Sequence, residues 1–148
     1  MKNMVVAVEF DEDLDDIIYF TKDLIGNRNP DVHVVHAFRS HTAVADYAPY
    51  LIDAMAKYEE HFKREIEAVR KIVQKMTAAG LNAHGFMKPI DKNIADSIIE
   101  FAKGKEADLI IAGSHHPNRV ERLVIGSVAG KLVQNSPVPV VVVPRKEK

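Results

Sequence analysis

Residues 110–127, IIAGSHHPNRVERLVIGS, concentrate the small and polar residues that could hold an anion. Two pairs, Gly113-Ser114 and Gly126-Ser127, enclose a loop that contains His115 and His116. Glycine permits a sharp turn and a close approach of the backbone to a ligand, and histidine can donate a hydrogen bond as a neutral ring or as a cation. The spacing of the two pairs therefore predicts a loop that is shaped around an anionic group.

The composition limits the class of protein. A chain of 148 residues that is 47% hydrophobic predicts one domain, residues 1–148, with a single core. Its 20 basic and 21 acidic residues give a formal charge of -1, which excludes a general attraction to nucleic acid or to an anionic membrane. The absence of cysteine, of a signal-peptide core and of a long apolar run favours a cytoplasmic protein with no membrane partner.

The hydrophobic pattern alternates between two periods along the chain. Short apolar runs predict five strands, at residues 4–8, 32–38, 81–87, 109–112 and 138–143. Helical spacing predicts helices at residues 11–25, 44–79, 92–103 and 127–134, the last of them capped by Ser127. This alternation predicts an α/β fold of the Rossmann-like type, an open parallel five-stranded sheet with helices on both faces. We take its strand order as 3-2-1-4-5.

Such a sheet binds ligands beyond the carboxyl ends of its strands, in the crevice where the winding direction reverses. With this order the crevice lies between strands 1 and 4. Its expected lining is Val8, Glu9, Phe10 and Asp11 on one side, and Ala112, Gly113, Ser114, His115 and His116 on the other. Gly126-Ser127 opens the following helix, whose free N–H groups suit a phosphate. The Ser127 hydroxyl either caps that helix or donates to a phosphate oxygen.

The spacing Gly113-x-x-His116, nine residues, then Gly126-Ser127-Val128 resembles the nucleotide loop of the universal stress protein family, usually Gly-x-x-Gly-x9-Gly-Ser/Thr. The segments ADLIIAGSH, LVIGSVAGKLV and PVPVVVVP are similar to that family too, and the resemblance covers the full chain. It implies a site for ATP, with Mg²⁺ as a candidate companion. The implied ATP contacts are Val8, Glu9, Ala37, Gly113, His116, Gly126, Ser127 and Val128.

Two residues depart from the family pattern. Glu9 stands where the family normally has the aspartate that reaches the ribose hydroxyls, so the charge is kept while the reach changes. His116 replaces the second loop glycine, and its ring either points away from the phosphates or supplies a donor to them. We favour the donor role for His115 and His116, because little other positive charge is expected nearby. Arg119 and Arg122 could reach the site, but the sequence does not show the direction of their side chains.

The sequence gives less support to a metal site, a phosphorylation site, a catalytic site or a nucleic-acid interface. His33, His36, His41, His61 and His84 are scattered without ligand spacing, so no metal site is predicted. The acidic residues 11–16 resemble those of a response-regulator receiver, but strand 3 ends in Met87 and Lys88 rather than a phosphorylatable aspartate. No catalytic constellation can be assembled. The basic stretches alternate with acids or end the chain, so no nucleic-acid partner is expected.

The sequence therefore predicts an ATP-binding, dimeric regulator of the stress response. One alternative is a slow ATPase or phosphotransferase that uses the same loop, with His115 or His116 as the candidate base. Another is a dimeric scaffold with an empty pocket. The homodimer is predicted through the C-terminal strand from Val138 to Val143, because it is apolar throughout and would lie at an edge of the sheet.

Overall fold

The chain alternates strands with helices from one end to the other. A computed structural model describes residues 1–10, 14–40, 51–114 and 125–144. The elements in order are β1 (Asn3–Ala7), α1 (Leu14–Ile25), β2 (Asp31–Phe38), α2 (Leu51–Ala78), β3 (Asn82–Pro89), α3 (Ile94–Gly104), β4 (Leu109–Gly113), α4 (Ser127–Asn135) and β5 (Val140–Val143). The strands form one parallel sheet in the order β3-β2-β1-β4-β5. The predicted fold class and strand order are confirmed.

Element boundaries differ from the prediction for local chemical reasons. Asn93 is the N-cap of α3 and accepts a hydrogen bond from the Asp96 N–H at 2.9 Å, so this helix begins later than residue 92. Pro139 accepts from the Ile110 N–H but has no N–H to return, and β5 begins only at Val140. The predicted starts of the first two helices lie in residues 11–13 and 41–50, outside the described ranges.

The predicted cap of α4 is wrong. Gly126 occupies the N-cap position, no side chain caps the helix, and Ser127 is its first helical residue. Glycine is accepted at this position, although serine leads the statistical preference that supported the prediction. The Ser127 hydroxyl is therefore not used by the end of the helix.

Two apolar layers cover the sheet. Met4 and Val6 point to the face that packs against α1 and α2, while Val5 and Ala7 point to the face that packs against α3 and α4. All four side chains are buried, which explains why the central strand is apolar at successive positions. The sheet thus holds the carboxyl ends of β1, β2 and β4 side by side beneath the helices.

Gly85 on β3 allows α2 to lie close to the sheet. A Cβ atom at this position would meet Val69 Cγ1 at 3.0 Å and Val73 Cγ2 at 3.1 Å. A larger residue there would require these two valine side chains to shift by a few tenths of an ångström. The glycine thus lets α2 pack closely against β3.

His33 on β2 makes the stability of the fold depend on pH. Its Nε2 atom lies 3.2 Å from Asn3 Oδ1, while its buried Nδ1 atom has no hydrogen-bond partner among the described residues. Burial lowers the pKa of His33 below its ordinary value of 6.5, and the nearby Lys105 lowers it further. The unfolded chain therefore takes up this proton more readily, so stability falls as pH falls through about 6.5.

We expect His33→Gln to reduce this loss, because the amide keeps a donor toward Asn3 and does not titrate. Urea unfolding at about pH 7.5 and about pH 5 should show a smaller decrease in the free energy of unfolding for the variant than for the parent. Equal decreases in the parent and in His33→Gln would contradict the assignment.

Candidate functional site

A cavity of about 800 Å³ opens at the carboxyl ends of β1, β2 and β4. This volume is within the range of small-molecule sites in proteins. The cavity lies beside the crevice between β1 and β4, where the winding of the sheet reverses. The start of α4 forms one part of its wall and the middle of α2 forms another.

Most of the predicted site residues line this one cavity. They are Val8, Glu9, Ala37, Ala112, Gly113, Gly126, Ser127 and Val128. Ala37 lies near the end of β2. Phe10 is 38% exposed and is not among the lining residues, but its ring centroid is 4.1 Å from that of His36, which does line the cavity. His115 and His116 lie outside the described residues.

Glu9 stands at the exit of β1 with an available carboxylate. The preceding residue, Val8, continues the sheet by donating its N–H to the Val35 carbonyl at 3.0 Å, which fixes the direction of the chain. The Glu9 side chain is half-buried on the cavity wall, and it has no hydrogen bond or ion pair with the rest of the described chain. It can therefore accept hydrogen bonds from the hydroxyl groups of a ligand.

The start of α4 is open toward the cavity. Gly126 has φ −55° and ψ 156°, a conformation that any residue can adopt, so the backbone does not require glycine here. Gly126 is buried and lines the cavity, and its carbonyl accepts the Gly130 N–H at 2.8 Å. Gly126 adds no side chain to this part of the wall, and the first N–H groups of a helix stabilise an anion placed before them.

A second wall of the cavity lies on α2 and is absent from the lining that the sequence predicts. Glu65 contacts two imidazoles, with Oε2 at 3.3 Å from His36 Nε2 and Oε1 at 2.7 Å from His61 Nε2. His36 and His61 are far apart in the sequence, but the fold brings both to this carboxylate. The available signals were the four-residue spacing of His61 and Glu65 on a helix, and the position of His36 on the strand face that α2 covers.

His36 connects three parts of the cavity wall. His36 Nδ1 lies 3.0 Å from the Val8 carbonyl oxygen, which can only accept, so this nitrogen is the donor. His36 Nε2 lies 3.3 Å from Glu65 Oε2. Through His36 the exit of β1, the end of β2 and the middle of α2 are held together beside Glu9.

Aromatic side chains complete the α2 wall. Phe62 lies between two other rings, with its centroid 4.8 Å from that of Phe38 and 5.9 Å from that of Tyr58, which is stacked on it at 10°. Burial raises the pKa of Tyr58, and the negative charge of Glu65 raises it further, so the phenol remains neutral at physiological pH. All three rings line the cavity and provide surface for a flat heteroaromatic group.

Positive charge at the site also differs from expectation. Arg39, directly after β2, lines the cavity, and Lys92 and Lys131 lie on an adjoining hollow. The expectation of little positive charge near the loop, apart from its own residues, is therefore wrong. These residues are far apart in sequence and close in space only because the parallel sheet aligns the ends of its strands.

The described ranges contain no group of three or more histidine, aspartate or glutamate side chains that could hold a metal ion. Of the helices that the structure describes, none combines the length and the apolar character that crossing a bilayer requires.

Sequence comparison relates the chain to characterised families. A profile of the universal stress protein family matches residues 1–144. The universal stress protein MJ0531 of Methanocaldococcus jannaschii is 34% identical over 110 residues, which span 71% of this chain and 64% of the relative. A universal stress protein of Thermus aquaticus is 31% identical over 113 residues, 74% of either chain. The match thus spans a little less than two thirds of the first relative.

Solved structures share the fold. The protein MJ0577 superposes with a TM-score of 0.75 at 20% identity, covering 99% of this chain and 98% of that one. The universal stress protein of Archaeoglobus fulgidus in complex with dAMP gives a TM-score of 0.72 at 21% identity, covering 97% and 98% of the two chains. A universal stress protein in complex with cAMP gives 0.65 at 17% identity, with 98% of each chain covered. By the match of the family profile over nearly its whole length, the chain belongs to the universal stress protein family.

Proposed function

We propose that this protein binds an adenine nucleotide, ATP with Mg²⁺, in the cavity, and that nucleotide occupancy regulates its role in the stress response. The observation that carries the proposal is the convergence of Glu9 and of Gly126-Ser127 on one cavity at the switch point of the sheet. Relatives of the same fold have been solved with dAMP and with cAMP, which supports an adenine nucleotide as the ligand class.

Each part of a nucleotide has a chemical counterpart on the cavity wall. The Glu9 carboxylate suits the ribose hydroxyls, the open start of α4 with the Ser127 hydroxyl suits phosphate oxygens, and the rings of α2 and β2 suit the base. Mg²⁺ prefers oxygen ligands and keeps several waters, so phosphate oxygens can hold it without a cage of carboxylates.

Calorimetric titration of the purified protein with Mg-ATP tests the proposal. We expect a dissociation constant of about 1 mM or tighter. The nucleotide released when freshly purified protein is heated should be an adenine nucleotide if the site is filled in the cell. Absence of binding together with absence of released nucleotide would instead support the scaffold with an empty pocket.

The slow ATPase remains an alternative outcome. It depends on His115 or His116 as a base, and both lie outside the described residues. Glu65, the carboxylate on the α2 wall, already contacts two imidazoles and is poorly suited to accept a proton from water. Phosphate release measured on the protein sample used for the titration distinguishes a binder from an enzyme.

We also propose that two copies of the chain pair through β5. This strand bonds only to β4 within the described sheet, and its valines are half-buried apart from the buried Val143. An apolar edge with free backbone groups is a template for another strand. The prolines at residues 139 and 144 bracket the four valines and limit the length of the pairing.

A further inference from the structure

A smaller hollow of about 280 Å³, here called the side hollow, adjoins the cavity at the start of α4. The cavity and the side hollow share Arg39, Ile90, Ile94, Ser127 and Val128 in their walls. The two spaces are therefore direct neighbours at Ser127 and Val128.

Three cations surround the side hollow. Arg39 follows β2, Lys92 precedes α3 and Lys131 lies on α4, so three separate elements bring them together. All three side chains are exposed, and none of them forms an ion pair with another described residue. Like charges gathered at one concave surface repel each other, and an anion placed between them removes that cost.

Neighbouring acids do not neutralise the side hollow. Asp91 and Asp96 flank Lys92 in the sequence, but neither lines the side hollow. The Asp96 carboxylate accepts a hydrogen bond at 2.8 Å from the amide of Asn93, a lining residue, but does not line the side hollow itself. The charged side chains in the described lining are therefore all cationic.

We propose that the side hollow binds the terminal phosphoryl groups of the nucleotide and that the protein thereby selects polyphosphate nucleotides over monophosphates. The inference rests on the proposed nucleotide binding and adds that the affinity depends on the number of phosphates in the nucleotide. Lys92 and Lys131 act as point charges toward phosphate oxygens, and Arg39, shared by both spaces, can contact two oxygens with its planar fork.

Titration with AMP, ADP, ATP and adenosine 5′-tetraphosphate in excess Mg²⁺ tests this inference. For the parent we expect affinity to rise with phosphate number, with ATP at least about tenfold tighter than AMP. In the double variant Lys92→Gln, Lys131→Gln this ratio should fall to about twofold, while AMP affinity stays within about twofold of the parent value. Both side chains are exposed, so the variant keeps the packing of the fold.

The matched control is Lys22→Gln, Lys71→Gln, which removes the same charge from exposed positions on α1 and α2, the helices on the opposite face of the sheet. It should retain the parent preference for ATP. The inference is overturned if the parent binds AMP and ATP equally, if the Lys92 and Lys131 changes weaken both nucleotides alike or neither, or if the control loses the preference too. A parent that binds no nucleotide would overturn the proposed function and this inference with it.

Discussion

Gly126→Val is expected to weaken ATP binding at least about tenfold, because its side chain would stand where phosphate oxygens approach the start of α4. The backbone at Gly126, with φ −55° and ψ 156°, is open to any residue, so the loss should come from occupied space rather than from backbone strain. Calorimetry of the parent and the variant measures the difference. Gly126→Ala, with a single added carbon, should give an intermediate affinity.

Gly130, one turn further along α4, offers a matched control. A Cβ atom there would meet nothing within 4 Å. Gly130→Ala should leave ATP affinity unchanged and stabilise the helix by up to about 1 kcal/mol. Thermal unfolding of all variants shows whether Gly126→Val remains folded. Unchanged ATP affinity in a folded Gly126→Val protein would remove the start of α4 from the phosphate site.

The periods of the hydrophobic pattern made the architecture predictable. Strands buried on both faces, such as β1, are apolar at successive positions, and helices such as α3 show one apolar stripe, so order and type of element follow from local sequence. Once the strand order is set, the crevice and its lining follow from topology. This is why the sequence alone predicts that Val8, Glu9, Gly113 and Gly126 line one site.

The α2 wall and the side hollow were not predictable in the same way. His36 lies on β2 and Glu65 in the middle of α2, so the ring meets that carboxylate only through the packing of the helix on the sheet. Lys92 and Lys131 likewise lie on different elements, because Lys92 precedes α3 and Lys131 is part of α4. The four-residue spacing of His61 and Glu65 indicates a contact within α2, but contacts between separate elements depend on how the helices pack.

The sheet shows which backbone groups of β5 are available to a second copy. The Ile110 N–H donates to the Pro139 carbonyl and the Ser114 N–H donates to the Val143 carbonyl, so these β5 residues face β4. Because the N–H and C=O of one residue point to the same side of a strand and alternate along it, Val140 and Val142 present theirs outward. Antiparallel pairing of two edges would use these two residues.

Val142→Pro is therefore expected to weaken the proposed dimer without loss of pairing to β4. Proline removes an outward N–H, is tolerated on edge strands, and restricts the preceding Val141 only to the extended conformation that it already has. Two-fold symmetry places the change in both copies, so two hydrogen bonds are lost. This corresponds to about 1–3 kcal/mol, or an increase of about fivefold to about 160-fold in the dissociation constant. Val142→Thr keeps both the N–H and the branched side chain, and it should remain dimeric in sedimentation at micromolar concentration. A monomeric parent, or proline and threonine variants that sediment alike, would contradict pairing through β5. In that case another part of the molecule would have to cover the half-buried valines. It would also have to bond the outward N–H and C=O groups of Val140 and Val142, which are not bonded to β4.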